Sequence, residues 1–380
     1  MTAPRPRLAV FCDFLEEDWP SMDLVADELI AALERDFSAA VAVARVRPRL
    51  TRRASRLPRL GERRVARNTD ILLGRFWDYP RHARRERADL YHVSDHSYAH
   101  LVHELPAERT GVYCHDLHAF RCLLEPEREP RPLWFRRMMQ RVLDGMQRAR
   151  VVFFSTEHVR RGIEQAGLVE PARLIHAPYG TAPEYVPEAQ LGDAAALSAL
   201  GLTSHGYLMH VGSTIARKRL DTVLDTFAEC RARSPELKLL QVGGTWTREQ
   251  AEQLRALRIE KGVVQVRRIE RLTLAALYRG AGVVLMPSDA EGFGLPVTEA
   301  LACGAAVLVS DIPPLREAGG DAVGVAPVGD VGAFVEAVQG ELEGSRPLPD
   351  RARRLAHAAR FSWTNHARTV LRGYGVLGAA

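Results

Sequence analysis

Short apolar runs alternate with longer amphipathic segments along almost the whole chain. Runs such as RLAVFCD, RTGVYCHD and RVVFFST are rich in β-branched and aromatic residues, which is typical of buried parallel strands. Segments such as SMDLVADELIAALER place apolar residues three or four positions apart, which predicts helices. Because strands alternate with helices in both halves, the pattern predicts an α/β protein with two doubly wound parallel sheets.

A change in composition divides this pattern into two parts. Residues 186–205 are rich in Pro, Ala and Gly and carry no strand signal, which predicts a linker. We therefore expect an N-terminal, Rossmann-like domain at 1–185, a C-terminal, Rossmann-like domain at 206–360, and a closing helix at 361–380 that packs back towards the N-terminal domain. Two doubly wound domains that face each other leave a cleft, and their ligands bind at the carboxyl ends of the strands.

Composition excludes several classes of protein. The five cysteines are scattered without a CxxC pair or the spacing of metal ligands, which favours reduced thiols in the cytoplasm. The chain has no run of 18 apolar residues, and the apolar stretch at its start is too short for a signal peptide. The sequence also lacks an Asp-x-Asp triplet, so no divalent-metal site is expected.

An arginine block spans residues 45–67. It holds ten arginines and one acid, Glu62, which gives a charge of +9 against +5 for the whole chain. Such a block attracts polyanions, but it lacks the interleaved aromatic residues of a single-strand nucleic-acid platform, so no nucleic-acid partner is expected. Three alternatives remain for it: peripheral contact with an anionic inner membrane face, contact with a phosphorylated acceptor, or a solvated surface.

The stretch EGFGLPVTE, from Glu291 to Glu299, separates two acids by seven residues. It follows a predicted strand and opens a predicted helix, with Pro296 and Glu299 in its first turn. Backbone N–H groups at such a loop favour anions, and carboxylates accept paired hydrogen bonds from vicinal hydroxyls. The stretch therefore suits a ligand that carries sugar hydroxyls and a phosphate. The alternative is that Glu299 only complements the helix dipole and that Glu291 is a solvated loop residue.

A basic triplet, Arg217 to Arg219, follows the predicted strand end at Gly212 and Ser213. A cation beside a glycine turn and a helix start is a suitable clamp for a diphosphate. The alternative is a decorated helix start, although cations there oppose the helix dipole. Polar residues also follow the predicted strands of the N-terminal half, namely Asp13, Asp95, His96, His115 and Asp116.

Together with YCHDLHAF, IHAPYG and FSWTNHARTVLRGY, these stretches resemble the retaining glycosyltransferases of family 4, which have the GT-B fold. The resemblance covers nearly the whole chain. It implies a retaining, hexosyltransferase-type enzyme that moves a sugar from a nucleotide diphosphate sugar to a glycan, lipid-linked or small-molecule acceptor. It also implies that the enzyme has no resident cofactor and no metal.

The resemblance implies a role for each matching residue. Glu291 and His115 are the implied catalytic residues, with Glu291 on the hydroxyls of the donor sugar and His115 near the transferred sugar. Glu299 is implied to bind the ribose, and Lys218, with Arg217 beside it, the diphosphate. The remaining implied donor-binding positions lie at strand ends and in loops: Gly212, Ser213, Gly292, Phe293, Gly294, Leu295 and, near the nucleobase, Arg268 and Ile269.

Two departures from the family pattern affect these expectations. Ser213 stands where the family commonly has an arginine, so Arg217 is expected to replace that cation. The loop FLEEDWPSMD lacks the usual glycine pair, which leaves the acceptor open. Two other functions remain as alternatives: a sugar-nucleotide epimerase or phosphorylase on the same fold, and a non-catalytic lectin-like or membrane-docked scaffold.

Overall fold

The structure, a computed structural model, describes residues 5–56 and 64–378. The chain forms two compact units. The first comprises the residues up to Gly180 together with those from Trp363 onwards, and the second comprises Thr181–Ser362.

The first unit is built on a parallel sheet. Within the described residues this sheet has six strands in the order β2-β1-β3-β4-β5-β6. The strands are β1 (Arg7–Phe11), β2 (Ala42–Val46), β3 (Leu90–Val93), β4 (Thr110–Cys114), β5 (Val151–Phe154) and β6 (Leu174–His176). The helices between them are α1 (Pro20–Asp36), α2 (Arg64–Leu73), α3 (Tyr79–Ala83), α4 (Arg121–Leu124), α5 (Leu133–Arg148) and α6 (Glu157–Gln165).

The second unit repeats this architecture. Its sheet, in the described part of the chain, has six parallel strands in the order β12-β11-β10-β7-β8-β9. The strands are β7 (Tyr207–Val211), β8 (Lys238–Val242), β9 (Val263–Val266), β10 (Val283–Met286), β11 (Val307–Ser310) and β12 (Gly324–Ala326). The helices are α7 (Asp193–Ala199), α8 (Leu220–Arg233), α9 (Arg248–Leu257), α10 (Arg271–Gly280), α11 (Leu295–Ala302), α12 (Pro313–Gly319), α13 (Val331–Glu343) and α14 (Arg351–Ala358).

The central strands explain why the apolar runs of the sequence are continuous. All residues of β4, β5, β10 and β11 are buried, because helices cover both faces of each sheet. The prediction of two doubly wound parallel sheets is therefore confirmed.

The segment 186–205, predicted to be a linker, belongs to the second unit and contains α7. The helix is anchored by Asp193, whose carboxylate pairs with Arg279 at 2.6 Å, and by Leu197, which is buried against Gly280. A composition rich in alanine is compatible with a helix as well as with a linker, and tertiary contacts decide between the two.

The final helix, α15 (Trp363–Gly373), is part of the first unit. It packs against α1, and Thr364 donates a hydrogen bond to Asp36 at 2.5 Å. Just beyond it, the Tyr374 hydroxyl donates to the carbonyl of Tyr91 on β3 at 2.8 Å. The last segment of the chain thus completes the core of the first unit. None of the described helices is long and apolar enough to cross a membrane.

Candidate functional site

The strand order of the second unit reverses between β7 and β10. At such a point the connections that follow two neighbouring strands run in opposite directions, which leaves a crevice at the carboxyl edge of the sheet where ligands commonly bind. The loop after β7 carries Arg217 and Lys218, and the loop after β10 carries Ser288 and Glu291. The topology therefore brings these two loops to one place.

The two loops are joined by a charged network centred on Glu291. Lys218 Nζ lies 2.5 Å from Glu291 Oε1, and Arg217 Nη1 lies 3.0 Å from Glu291 Oε2. Ser288 Oγ donates to Oε1 at 2.7 Å. Arg217 also donates to the carbonyl of Ala290 at 2.7 Å, which fixes the start of the glycine loop. The structure thus brings together three residues that the sequence analysis selected, and it adds Ser288.

Electrostatics keep the Glu291 carboxylate ionised. Its side chain is only 6% exposed, and that of Lys218 only 11%. Burial alone would raise the pKa of Glu291, but the charges of Lys218 and Arg217 outweigh it and hold the pKa below its ordinary value. Glu291 is therefore a buried anion with two cationic partners, and the interpretation as a solvated loop residue is wrong.

A buried histidine on β7, His210, lies beside this network. A Cβ added to Gly212 would contact both the Cε1 atom of His210 and the side chain of Lys218, so these two side chains lie close together beside Gly212. Burial and, to a smaller extent, the charge of Lys218 lower the pKa of His210 to about 3, so the imidazole is neutral. Neither of its ring nitrogens has a hydrogen-bond partner among the described residues. Sequence reasoning missed this residue because it lies inside an apolar strand pattern.

The basic triplet is arranged differently from the prediction. Ala216–Lys218 form a 3-10 turn, and α8 begins only at Leu220. Arg219 lies between them in the left-handed region, with φ 48°, and pairs with Asp221 at 2.7 Å. The turn directs Lys218 inwards, while Arg219 serves its own helix start. Only two of the three bases therefore belong to the Glu291 network.

The glycine loop requires glycine at position 294. Gly294 has φ 101°, and a Cβ there would lie 2.8 Å from Leu315 Cδ2. It directly precedes α11, which begins at Leu295 with Pro296 in its second position. Glu299 is consequently the fifth residue of the helix. The prediction that it lies in the first turn is therefore wrong. Its position beyond the first turn argues against a role limited to the helix dipole.

Glu299 lies in a separate, tyrosine-lined environment. It is buried and accepts a hydrogen bond from the Tyr278 hydroxyl on α10 at 3.0 Å. Burial raises the pKa of Glu299 to about 7, against the opposing effect of hydrogen bonds from Tyr278 and Tyr185. Glu291 and Glu299 thus have different partners: Glu291 contacts cations, and Glu299 contacts phenol hydroxyls.

The other predicted donor positions lie after β7, after β9 and around the start of α11. Gly212 and Ser213 follow β7, where Gly243, with φ 103°, approaches so closely that a Cβ would lie 2.7 Å from the carbonyl oxygen of Gly212. Phe293 is buried, and its ring contacts that of Phe361. Arg268 and Ile269 follow β9, which β8 separates from β7. Gly292 lies in the loop that connects Glu291 to α11, and Leu295 is the first residue of that helix.

His115 lies in the first unit, after β4, and is fully hydrogen-bonded there. Its Nε2 lies 2.8 Å from the carbonyl oxygen of Ser94, and its Nδ1 contacts the hydroxyl of Tyr179. Because a carbonyl only accepts, Nε2 carries the proton and Tyr179 donates to Nδ1. Burial lowers the pKa of His115, so the ring is neutral.

The first unit also has a reversal of strand order, between β1 and β3. Asp13 and Asp95 follow these strands, and both are buried. Burial and the charge of Asp95 raise the pKa of Asp13, so Asp13 carries the proton of this pair. Asp95 in turn caps the next 3-10 helix by accepting from the Ser97 N–H at 2.6 Å and lies 3.4 Å from His96.

No group of three or more His, Cys, Asp or Glu residues in the described part of the chain is arranged to hold a metal ion. The five cysteines are all buried and free.

The arginine block is partly neutralised by acids of its own unit. Arg45 pairs with Asp27 at 2.6 Å, and Arg53 pairs with Asp78 at 2.7 Å. Residues 57–63 of the block lie outside the described residues. The side chains of four exposed arginines have neither an ion-pair nor a hydrogen-bond partner within the described ranges: Arg49, Arg52, Arg56 and Arg64. Large apolar side chains of the same unit are exposed as well: Leu15, Trp19, Val65, Leu72 and Trp77.

The Lys218–Glu291 ion pair generates a stability prediction. Lys218→Ala is expected to lower the free energy of unfolding by about 3 kcal/mol, because it leaves a buried carboxylate with one counter-charge fewer. The double variant Lys218→Ala/Glu291→Gln should be less destabilised than Lys218→Ala alone. Chemical denaturation measures both, with the exposed Lys261→Ala as the control. Strict additivity of the two single effects would contradict the coupling.

Three comparisons relate this geometry to known proteins. Residues 202–360 match the family model of the glycosyl transferases group 1. The chain is 28% identical over 306 residues to the O-antigen chain mannosyltransferase B of Escherichia coli, and the match covers 78% of each chain. It is 34% identical over 170 residues to the D-inositol 3-phosphate glycosyltransferase 2 of Catenulispora acidiphila, which covers 41% of this chain and 40% of that relative.

Among solved structures, HepE of Anabaena, in complex with UDP and glucose, superposes with a TM-score of 0.72 at 16% identity. That match covers 98% of this chain and all of HepE. At this level of identity the likeness concerns the fold alone. The two doubly wound sheets and these likenesses make this chain a glycosyltransferase of the GT-B fold, and the residues that match the group 1 model lie in its second unit.

Proposed function

We propose that this glycosyltransferase moves a hexosyl group from a nucleoside diphosphate sugar to an acceptor hydroxyl with retention of anomeric configuration. The observation that carries the proposal is the network in which Lys218 and Arg217 contact the buried Glu291 at the reversal of the second sheet. It places two cations and one carboxylate where an open parallel sheet binds its ligand. The donor offers the matching groups, which are a diphosphate and sugar hydroxyls.

The proposed binding step is an exchange of partners. The diphosphate takes over the ammonium of Lys218 and the guanidinium of Arg217, and backbone N–H groups of the loop 292–295 add further donors. Glu291 is then released from the cations and accepts hydrogen bonds from the sugar hydroxyls. When the sugar leaves, the same two cations stabilise the negative charge that develops on the departing diphosphate.

The nucleoside is assigned to the second acid and to the end of β9. Glu299, seven residues beyond the loop entrance, is proposed to bind the ribose, and the backbone at Arg268 and Ile269 the nucleobase. The complex of HepE with UDP and glucose supports a donor of this class, since the two chains share the fold. Which sugar and which base this chain uses is left to a binding panel of UDP, GDP, ADP and their sugars.

The first unit is proposed to face the acceptor. His115 is assigned to the transferred sugar, and a neutral imidazole there can donate from Nε2 once a sugar hydroxyl replaces the Ser94 carbonyl. The names of the two relatives, a mannosyltransferase of O-antigen chains and an inositol phosphate glycosyltransferase, support a glycan or polyol acceptor. An epimerase or phosphorylase would act on the donor without an acceptor hydroxyl, and no named relative favours either function.

The arginine block and its apolar neighbours support a further proposal, peripheral contact with an anionic membrane face in the cytoplasm. The four unpaired arginines supply positive charge, and Trp19, Val65 and Trp77 are 60%, 72% and 58% exposed. The Arg81 guanidinium stacks over the Trp77 ring at 3.4 Å, which combines both properties at one point. Basic residues near a bilayer contribute about 1 kcal/mol each, and exposed tryptophans suit its interface.

Glu291→Gln is expected to lower the rate of transfer by about a hundredfold, because a charged acceptor for the sugar hydroxyls is lost. Affinity for the free nucleoside diphosphate should stay the same or rise several-fold, since Lys218 and Arg217 no longer have a competing carboxylate. A transfer assay and isothermal titration calorimetry measure the two quantities, with the exposed Glu260→Gln as the control. Full transfer activity in Glu291→Gln would falsify the assignment.

Transfer is expected to survive dialysis against EDTA, because the proposed charge stabilisation comes from Lys218, Arg217 and backbone N–H groups. Initial rates before and after chelation, and after magnesium or manganese is restored, check this expectation. A large loss of rate on chelation that either metal reverses would contradict the proposed mechanism.

Flotation with liposomes tests the membrane contact. The protein should float with anionic but not with neutral vesicles, and less at high salt, because the attraction is electrostatic. Serine at the four unpaired positions, Arg49, Arg52, Arg56 and Arg64, should abolish flotation. A control variant loses the same charge from the second unit, at Arg255, Arg258, Arg267 and Arg360. Equal flotation on both vesicle types, or equal loss in the control, would refute the contact.

A further inference from the structure

The structure surrounds Glu299 with phenol hydroxyls that the proposed function does not use. Tyr278, on α10, is fully buried, and its hydroxyl lies 3.0 Å from Glu299 Oε2. Tyr185, in the segment before α7, is 6% exposed, and its hydroxyl favours the ionised form of Glu299 by lowering its pKa. The two rings meet edge to face at 5.9 Å between centroids. We propose that Tyr278 and Tyr185 are positioning residues that orient the Glu299 carboxylate for the ribose diol of a nucleoside diphosphate.

This inference rests on the proposed function, in which Glu299 binds ribose, and it adds the residues that make such binding selective. A carboxylate has two oxygens with about four sites that accept hydrogen bonds. The hydrogen bond from Tyr278 uses part of this capacity and leaves the rest for the two hydroxyls of a ribose. Both phenols are packed into the core of the second unit, so their hydroxyl positions are fixed and the carboxylate has to align with them.

The fixed phenol hydroxyls hold the Glu299 side chain in one orientation, which a ligand would otherwise have to impose on binding. A glutamate side chain has several rotatable bonds, and immobilising it on binding weakens affinity. With the tyrosines in place, the carboxylate is already oriented before the nucleotide arrives. Orientation matters most for a ligand that donates two hydrogen bonds at once, so the tyrosines should sharpen the distinction between ribose and 2′-deoxyribose.

The groups that face Glu299 also define how it titrates. Burial raises the pKa of Glu299 to about 7, while hydrogen bonds from Tyr278 and Tyr185 and the charge of Arg271 favour its ionised form. Arg271 itself lies 3.8 Å from Glu184, and the thiol of Cys303 lies at the end of α11 on the same side. Burial raises the pKa of both tyrosines, so they remain protonated donors throughout the neutral range.

A diol that donates two hydrogen bonds prefers the carboxylate over the carboxylic acid. Affinity for the ribonucleotide should therefore rise with pH through about 7 and level off above it. Loss of one phenol hydroxyl removes a donor to the carboxylate. The midpoint of this rise should then move to higher pH, because the ionised form has lost a stabilising hydrogen bond.

The test compares Tyr278→Phe with the wild-type enzyme. The probe is whichever of UDP, GDP and ADP binds the wild type, together with its 2′-deoxy analogue, titrated by calorimetry from pH 6 to 8.5. The wild type should prefer the ribonucleotide about tenfold above pH 8, as expected for one hydrogen bond to a charged group. Tyr278→Phe should lose most of this preference and shift the midpoint upwards, while kcat changes less than the donor KM.

Three further variants separate positioning from structural loss. Tyr207→Phe removes a buried phenol that bonds to the Leu277 carbonyl instead of to Glu299, and it should keep the wild-type preference and midpoint. Tyr185→Phe should behave like Tyr278→Phe. Glu299→Gln should abolish the pH dependence of the preference for the ribonucleotide over its 2′-deoxy analogue. Adding Tyr278→Phe to Glu299→Gln should change this preference no further.

The outcomes distinguish this inference from the proposed function. A Tyr278→Phe enzyme that melts like the wild type and keeps both its preference and its midpoint overturns the positioning role alone. If none of the three nucleoside diphosphates binds the wild type, the proposed function fails and the inference fails with it. An equal effect of Tyr207→Phe would reassign the result to general loosening of the core.

Discussion

A buried carboxylate requires a counter-charge, and the second unit is organised around one that has two. Glu291 lies in the loop after β10, and its partners Lys218 and Arg217 come from the loop after β7. These strands are neighbours in the sheet although more than seventy residues separate them along the chain. The ion pair therefore depends on the crossover that reverses the strand order, and the loops depend on the ion pair to neutralise their charges.

The same topological constraint produces a different result in the first unit. Its reversal, between β1 and β3, brings together Asp13 and Asp95, which are like charges. Protonation of one of the two acids allows both to be buried, and the charge of Arg75 favours ionisation of Asp95. A reversal of strand order thus brings together cations around Glu291 in the second unit and two acids in the first.

Much of this could be predicted from the sequence because its signals are local. Apolar runs and helical spacing are properties of adjacent residues, and they specify both parallel sheets. The site residues Glu291 and Lys218 were identified by short motifs whose positions relative to strand ends are also local.

What local patterns could not show is which side chains meet across the fold. Tyr278 and His210 looked like core residues in a helix and a strand, and their contacts with Glu299 and Lys218 arise only from tertiary packing. The helix α7 was missed for the same reason, since Leu197 and Asp193 find their partners far along the chain.

The pairing of Lys218 with Glu291 also has a consequence for ligand selectivity. Its positive and negative halves satisfy each other, so a free sugar would have to displace the cations without offering an anion in return. Inorganic phosphate would have to displace the carboxylate without offering hydroxyls to it. Only a molecule that carries both groups at the right separation can replace both halves at once. If the donor binds as proposed, the ion pair therefore favours a sugar nucleotide over a free sugar or free phosphate, because each of these offers only one of the two groups.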